Sequence, residues 1–541
     1  MAAFKNICKV FIVMVLISVT LSSCLNSNDA NLDITDKNPP KEKGTLNLAS
    51  YSPDTLNPLS TEYSCIRDVL YLAYEGLFVV NEDLSVKGVL ATDYKASDKN
   101  THYTINLKKG VKFHNGTSFN AKDVIATFDY IRTYGGYYLD SLDAVAGYSA
   151  SGDYTVDIYL KTSVNNFVSN LDFPILPSGL SHKDFVAPND SFDMNGTGRY
   201  KYKKENVYES LILCKNNSWH GDTPVYIPNV CVRYVNDNDA IVYAFDSGET
   251  DMITTERARW GEYSYKAKHN IYEITTTKYV FVGFNTVNTA FSDAELRRNI
   301  ANLVDKETVV DTLMFSHAEV AQNPITSKAY FYRNNIDKEF KYDKDYIRNK
   351  KLSTYILYNE EDIQKEELAQ YLKKILKDAG VKAELTKVDY ETYLNKVQSG
   401  DYSMYIGEVD IKRDCDLGFM FAKAKGITEN AEDISIVNPD ESDNRDSADI
   451  LPTYTAESGY NKICSFSNAA LDDIINNINS SKNEEVLKVN YNNLCALYKE
   501  HAFQIPMYHV NDALLVSTRI KGKVTPNLTN FYADLGEIYI N

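Results

Sequence analysis

The chain has 541 residues, enough for three or four domains of ordinary size or for one large fold. It carries 57 Lys and Arg against 74 Asp and Glu, and its net charge of −17 argues against a protein that binds nucleic-acid phosphates. Hydrophobic residues make up 44% and charged residues 24%, which is typical of a globular protein. Tyrosine (41) far outnumbers tryptophan (2), but this surplus alone does not identify a function.

Residues 1–23 have the pattern of a bacterial lipoprotein signal peptide. Lys5 and Lys9 lead into the apolar run Val10–Leu21, which is too short to span a membrane and suits a signal-peptide core. The run ends in Leu21-Ser22-Ser23-Cys24, which resembles a lipobox, the motif in which the cysteine is diacylated and becomes the new N-terminus. An ordinary signal peptide with an incidental cysteine is the alternative.

Residues 24–43 are polar and contain a proline pair, so we expect a lipidated Cys24 followed by a flexible tether. This would place the protein on the outer face of the cytoplasmic membrane, on the extracellular or periplasmic side. Export permits disulfides among the six remaining cysteines, but their wide spacing favours buried thiols.

The body of the chain opens with strand and helix signals. Thr45–Ala49 alternates like a strand, and the turn-rich segment Ser52–Pro58 follows it. Thr101–Leu107 alternates again. Asn120, with Asp123 three residues later, predicts the start of a helix because both side chains can bond the free backbone N–H groups there.

A series of motifs, taken in order, resembles the family 5 extracellular solute-binding proteins of bacterial ABC importers. That family includes oligopeptide-, dipeptide- and nickel-binding proteins. Each motif is weak by itself, but the order holds over the whole body of the chain, and most of the residues should be scaffold. The motifs are Leu56-Asn57-Pro58, Tyr74-Glu75-Gly76-Leu77, Gly88–Ala91, Leu107–Thr117, Ala121–Val124, Gly196–Tyr200, Ala244–Asp251, Phe284-Asn285-Thr286 and Phe503–Tyr508.

The resemblance implies an α/β fold with two lobes and a hinge between them, of the large type II class of periplasmic binding proteins with an extra subdomain. Lobe I would consist of a main subdomain (44–69, 194–284 and 504–541) and the extra subdomain (70–193), and lobe II of residues 285–503. The hinge candidates lie where the chain crosses between the lobes: Gly283, Asn285, Gln504 and Pro506.

The second lobe can also be read from periodicity alone. It shows three strand patterns and two helix patterns in alternation, which predicts a parallel sheet whose ligands gather at the carboxyl ends of the strands. Gly380 is the expected C-cap of the first helix. The segments are Leu352–Leu357, Ile363–Ala379, Val381–Leu385, Tyr390–Ser399 and Tyr402–Ile406.

The segment after the third strand, Gly407–Asp416, is rich in charges and is our candidate for one wall of a ligand site. The resemblance implies that an Asp in this region receives the α-ammonium group of a peptide, which points to Glu408, Asp410 and Asp414. The chain departs from the family pattern here, since Glu408 replaces the expected Trp and the Pro is missing. A solvated charged loop is the alternative.

The opposite wall is predicted at Thr61, Glu62 and Tyr63. In peptide-binding relatives this stretch pairs main chain to main chain with an extended ligand, while the alternative is a plain surface loop. A further acidic segment at 427–452, an insertion in lobe II, is expected to be solvated, and we assign it no partner.

No motif supports enzyme chemistry. The eight histidines contain no HxxxH pair, and the chain has no GxSxG elbow, Walker A loop or GxGxxG motif. We therefore predict no catalytic residues, metal or cofactor. The expected function is a monomeric receptor that passes a peptide to ABC permease subunits, with a nickel complex, sugar or other small solute as alternatives. A surface-anchored hydrolase or adhesin is the alternative from another class.

Overall fold

A computed structural model of the chain describes residues 40–541 except 98, 204–207, 256–259, 263–264, 288, 337–339, 422–462 and 534. The predicted signal peptide, Cys24, most of the tether and the acidic insertion lie outside the described residues. The body runs from Glu42 to Asn541. The Lys43 N–H donates to the Tyr226 carbonyl at 3.0 Å, so contacts of the body begin just inside the predicted tether.

The strands that the structure describes range from three residues to the sixteen of β12, His269–Phe284. Their bounds are β1 Thr45–Ser50, β2 Phe78–Val80, β3 Val86–Gly88, β4 Ala91–Ala96, β5 His102–Leu107, β6 Val145–Gly152, β7 Thr155–Leu160, β8 Tyr200–Tyr202, β9 Ser210–Lys215, β10 Asn229–Tyr234, β11 Met252–Thr254, β12 His269–Phe284, β13 Ala318–Val320, β14 Ser353–Asn359, β15 Lys382–Val388, β16 Met404–Asp410, β17 Gln504–Ser517, β18 Ile520–Gly522 and β19 Ile538–Ile540.

The helices mostly begin at Asn, Asp or Ser side chains that cap free backbone N–H groups. At the start of the helix Ala121–Tyr134 the Asn120 side chain accepts from the Lys122 N–H (2.9 Å) and the Asp123 carboxylate accepts from the Asn120 N–H (2.8 Å), which confirms the predicted start. The bounds are α1 Ser64–Leu70, α2 Ala121–Tyr134, α3 His182–Phe185, α4 Asn238–Asp246, α5 Ala294–Ala301, α6 Lys306–Leu313, α7 Lys344–Asn349, α8 Ile363–Asp378, α9 Tyr390–Ser399, α10 Ala469–Ser480 and α11 Glu484–His501.

One sheet of eleven strands runs through both lobes. Its path is β15-β14-β16-β12-β17-β11-β1-β10-β9-β8, with β13 paired to β17 beside that path. The long strands β12 (16 residues) and β17 (14 residues) are antiparallel partners and join the two ends of the sheet. We refer to the part of the molecule with β1 and β8–β11 as lobe I and to the part with β14–β16 as lobe II, following the predicted division. The mixed sheet with helices packed on it is the predicted α/β class of fold.

Lobe II has the predicted alternation of strands and helices. β14 is parallel to both β15 and β16, and α8 buries the face that carries Leu368, Leu372 and Leu376. The helix is followed by Gly380 at a φ of 89°, as expected of a C-cap region. The main difference is that β16 continues to Asp410, because it pairs with β12 along its whole length, so Gly407–Asp410 is strand and not loop.

Most apolar contacts lie within one lobe, although Val80 and Leu84 of the extra subdomain pack into the lobe II core. In lobe I a single core joins the main sheet, through Leu48 and Val232, to the four-stranded sheet and helix of the extra subdomain, through Phe128 and Ile158, all at most 1% exposed. In lobe II both faces of the sheet are covered, one by α5–α8 and the other by α9–α11. The six described cysteines are all thiols.

Candidate functional site

The point where the chain passes between the lobes is marked by an irregularity in the β12–β17 pair. Pairing is regular from His269 to Thr275, shifts register before Tyr279 and again between Val280 and Phe281, and then continues to Gly283. The first half of β12 thus lies with the lobe I strands, and the second half pairs with β16 in lobe II. A bulge of this kind bends a strand and increases its twist, so the two lobes are joined by bent strands.

The four residues predicted to form the hinge lie beyond this crossing, in the lobe II part of the sheet. Gly283 is paired with Tyr405, and a Cβ there would come within 2.1 Å of the Tyr405 ring, so this glycine makes room for an aromatic side chain. Asn285 donates to the Gly400 and Tyr402 carbonyls at 2.9 and 3.0 Å. Gly283 thus lies within the β12–β16 pair, and Asn285 joins the end of β12 to the segment before β16.

The other two hinge candidates belong to the first half of β17. The Gln504 side chain accepts a hydrogen bond from the Tyr498 hydroxyl at 3.1 Å, and Pro506 lies opposite Phe281 on β12. Their surroundings are the buried centre of lobe II. The crossing itself lies farther along β17, at His509–Asn511, which is opposite the register shift of β12.

The second half of β16 places two of the predicted ligand residues on one face of the sheet. Asp410 stands opposite Lys278 of β12, and Glu408, two residues earlier, points to the same side. Asp410 is exposed to solvent, but the protein around it removes enough water that burial raises its pKa, with Lys278 acting in the opposite direction. Solvent therefore reaches Asp410 although protein surrounds it, and we refer to the surface around Asp410, Glu408 and Lys278 as the recess.

Cations accompany these acids. Burial works to lower the pKa of Lys278, but the carboxylates of Asp410, Asp512 and Glu408 outweigh it and raise that pKa. Lys365, at the N-terminal end of α8, lies 3.6 Å from Glu408. The recess thus contains both signs of charge at the carboxyl ends of the lobe II strands, where ligands of parallel sheets gather.

The lobe I segment predicted to pair with a ligand already uses much of its main chain internally. The Thr61 side chain is buried and donates to Asp54 at 2.6 Å, and the Glu62 N–H donates to the same carboxylate at 2.9 Å. The carbonyl groups of Thr61 and Glu62 both accept from Arg67, at 3.1 and 2.8 Å. The groups of this segment that remain available to a ligand are the exposed side chains of Glu62 and Tyr63.

This wall also contains an arginine and a tyrosine that were not predicted as site residues. The guanidinium of Arg67 lies 3.6 Å from the ring centre of Tyr137, a cation–π contact. Tyr137 is 40% exposed and close enough to Lys278 to affect the electrostatics of that ammonium group. Tyr137 therefore lies in the neighbourhood of Lys278. Only the surplus of tyrosine hinted at such a residue.

The third predicted acid of lobe II, Asp414, occupies a different place. It is 4% exposed and accepts a hydrogen bond from the Asn170 side chain of the extra subdomain at 2.6 Å. Burial, together with the like charge of Asp416, raises the pKa of Asp414 to about 6. Asp414 thus joins the lobes, whereas Glu408 and Asp410 share the recess.

The neighbours of Asp414 also reach lobe I. Lys412 pairs with Asp143 at 2.9 Å, and Arg413 forms an ion pair with the buried carboxylate of Asp172. Three successive residues of this loop therefore bind the extra subdomain. Among the residues that the structure describes, no group of three or more His, Cys, Asp or Glu is placed to hold a metal ion. No described helix is long and apolar enough to cross a membrane.

These features define a class of protein: a binding protein of two lobes joined by two crossing strands, with a charged recess at the carboxyl ends of the lobe II strands. A profile of the bacterial extracellular solute-binding proteins, family 5 Middle, matches residues 85–414, more than half of the chain. The chain belongs to this family. The oligopeptide-binding protein AppA of Bacillus subtilis (strain 168) is 25% identical over 420 residues, which are 71% of this chain and 77% of AppA.

Solved structures share the fold. The structure of Bacillus subtilis AppA in complex with a nonapeptide matches with a TM-score of 0.62 at 20% identity, over 93% of this chain and 100% of that chain. The murein tripeptide binding protein MppA, in its unliganded open form, matches with a TM-score of 0.74 at 17% identity, over 93% and 98% of the two chains. NikZ from Campylobacter jejuni, in complex with Ni(L-His), matches with a TM-score of 0.63 at 18% identity, over 92% and 100%.

Proposed function

We propose that this protein captures a peptide between its lobes and delivers it to the permease of an ABC importer. The observation that carries the proposal is Asp410, a carboxylate that solvent reaches in a recess where burial raises its pKa. Such a carboxylate gains stabilisation when an ammonium group replaces the missing water. The α-ammonium group of a peptide has the charge and the hydrogen-bond donors to do so.

The charge of the recess supports a cationic group on the ligand. Four carboxylates, those of Asp362, Glu408, Asp410 and Asp512, act on two ammonium groups, Lys278 and Lys365. The surplus of negative charge favours a ligand that brings positive charge to this end of the cleft. The names of the relatives agree with this choice, since AppA is an oligopeptide-binding protein and another relative is a probable D,D-dipeptide-binding protein.

On the opposite side of the cleft, Glu62, Tyr63 and Tyr137 would contact the body of the peptide. Tyrosine side chains offer a flat apolar surface and a hydroxyl group, which suits contact with varied side chains. Asp414 and Thr61 support the two walls rather than touch the ligand in this proposal. The hinge would lie at the register shift of β12, Thr275–Tyr279, and the facing part of β17, because there the strands leave one lobe and enter the other.

We also propose that the protein acts as a monomer held at the outer face of the cytoplasmic membrane by a lipid on Cys24. The lipobox-like sequence before Cys24 and the polar residues after it support this location. Mass spectrometry of the membrane-extracted protein should show a diacylated N-terminal Cys24, and a Cys24→Ser variant should be released from the membrane.

The binding proposal is tested by titrating the purified protein with short peptides in a calorimeter. Peptides with a free N-terminus should bind, and their N-acetylated counterparts should bind at least about tenfold more weakly because they offer no ammonium group. Thermal stabilisation by the same peptides provides a second readout. Equal binding of free and acetylated peptides would contradict the role of the acidic recess, and an absence of binding to any peptide would contradict the choice of solute.

A further inference from the structure

A short hairpin of the extra subdomain reaches the place where the chain crosses between the lobes. Its tip, Asn81–Ser85, joins β2 to β3 and is closed by a hydrogen bond from the Leu84 N–H to the Asn81 carbonyl at 2.9 Å. Leu84 has a φ of 62°, a conformation that few residues other than glycine adopt, and its side chain is 1% exposed. Packing therefore holds the tip in one conformation.

Glu82 of this tip binds β12 at the register shift. Its carboxylate accepts a hydrogen bond from the Thr275 N–H at 3.1 Å, and Thr275 is the last residue of β12 that pairs with β17 before the shift. Thr275 borders the bulge and is only 3% exposed, so an acceptor for its N–H group stabilises the strand at this point. Glu82 also lies 3.9 Å from Lys328, in a pair exposed to solvent.

The hairpin is fastened to both lobes. Val80 and Leu84 are buried in the lobe II core on the face covered by α9–α11, and the Tyr330 N–H of lobe II donates to the Asp83 carbonyl at 2.9 Å. On the other side, the Val80 N–H donates to Thr529 of the C-terminal segment at 2.9 Å. The extra subdomain therefore contacts the crossing independently of the two strands that connect the lobes.

We propose that the Asn81–Ser85 tip is a third element of the hinge, and that Glu82 is a positioning residue for solute capture. Two crossing strands can bend and twist in several directions, whereas a third contact at the bulge restricts the lobes to a smaller set of orientations. The extra subdomain thereby acts on binding without touching the solute. This inference rests on the proposed hinge motion, yet its test does not require a bound solute.

The experiment measures the distance between two spin labels, one on each lobe. The labels are attached to non-natural amino acids that replace Asp222 in lobe I and Lys377 in lobe II, both of which are exposed. In the solute-free protein, Glu82→Ala should broaden the distance distribution, because the Thr275 N–H loses its acceptor. Glu82→Gln should retain the wild-type distribution, since its amide carbonyl still accepts the bond. Lys328→Met, which removes only the exposed ion pair, is the matched control and should also behave as wild type.

The dissociation rate of a bound peptide is a second measurement, and a change in stability alone would not alter it. With a peptide that binds, Glu82→Ala should raise the dissociation rate roughly tenfold, and Glu82→Gln should leave it unchanged. A wild-type distribution for Glu82→Ala, or equal effects of the Ala and Gln variants, would overturn the inference. A wild-type protein that no peptide binds would contradict the proposed function, while the solute-free distances would still decide the role of Glu82.

Discussion

Lys278 of β12 stands directly opposite Asp410 of β16 in the antiparallel register that joins the crossing strand to lobe II. The pair brings a cation and an anion to the surface of one recess, and Glu408 and Asp512 add negative charge beside it. A ligand ammonium group would therefore meet Asp410 in surroundings that Lys278 neutralises only in part. The charge balance of the site is set by strand pairing between distant parts of the chain.

The first prediction concerns Asp410 itself. Asp410→Asn should weaken the binding of peptides with a free N-terminus by about 2–3 kcal/mol, because the ligand ammonium loses its charged partner. Calorimetric titration of the wild type and the variant measures the difference. Asp401→Asn is the matched control, since Asp401 is exposed, precedes the other end of β16 and pairs with Lys396. Equal affinity in wild type and Asp410→Asn would remove Asp410 from the site.

The second prediction concerns the pH dependence of stability at Asp414. Its pKa in the native protein is raised to about 6, against about 3.9 for an exposed Asp, so the favourable contribution of the neutral acid is present at low pH and lost as pH rises through about 6. Relative to Asp414→Asn, the wild type should lose on the order of 2 kcal/mol of unfolding free energy between about pH 4 and pH 6. Denaturant unfolding at several pH values measures the difference, and a constant difference would contradict the assignment.

The third prediction separates a scaffold residue from the site. Asp251, 1% exposed, accepts from the Asn47 N–H at 2.7 Å and forms an ion pair with Arg519, so it ties β1 to the end of β17. Asp251→Ala should lower the free energy of unfolding by about 2–4 kcal/mol without changing peptide affinity. Glu249→Ala, which removes an exposed pair with Arg233, should cost less than about 1 kcal/mol. If Asp251→Ala changed the peptide affinity but not the free energy of unfolding, its assignment to the scaffold would be contradicted.

The fourth prediction concerns Gly283. Gly283→Ala should destabilise the protein by about 1–3 kcal/mol, because the new methyl group would overlap the Tyr405 ring. The distance distribution between the lobes should stay that of the wild type, since the residue lies beyond the crossing. Gly147→Ala is the control, because no atom lies within 4 Å of a Cβ at that strand position and its stability should change by less than about 0.5 kcal/mol. If Gly283→Ala left the stability unchanged but altered the distances between the lobes, Gly283 would be part of the hinge after all.

Much of the fold of lobe II was accessible from the sequence because it depends on local periodicity. The apolar spacing of Leu368, Leu372 and Leu376 fixed α8, and the alternation of strands with helices implied the parallel order of β14–β16. The capped start of α2 at Asn120 was likewise a local signal.

The candidate site was less accessible because it depends on pairing between distant segments. The sequence around Asp410 does not show that β16 continues beside β12 or that Lys278 stands opposite. Asp414, in a similar acidic context, is buried against Asn170 of another subdomain. Thr61 is buried and donates to Asp54, a contact that no periodicity predicts. The sequence indicated that these polar residues matter, but only their tertiary contacts distinguish a residue of the recess from a residue that supports the fold.

The central claim is that the cleft between the lobes holds a peptide, and native mass spectrometry of freshly purified protein tests it most directly. Wild-type protein should carry added masses that correspond to single peptides, one per chain, and mild activation should release them for sequencing. Asp410→Asn, prepared in parallel, should carry much less of them, while Asp401→Asn should match the wild type. Added masses that are not peptides, or equal peptide occupancy in Asp410→Asn, would contradict the account.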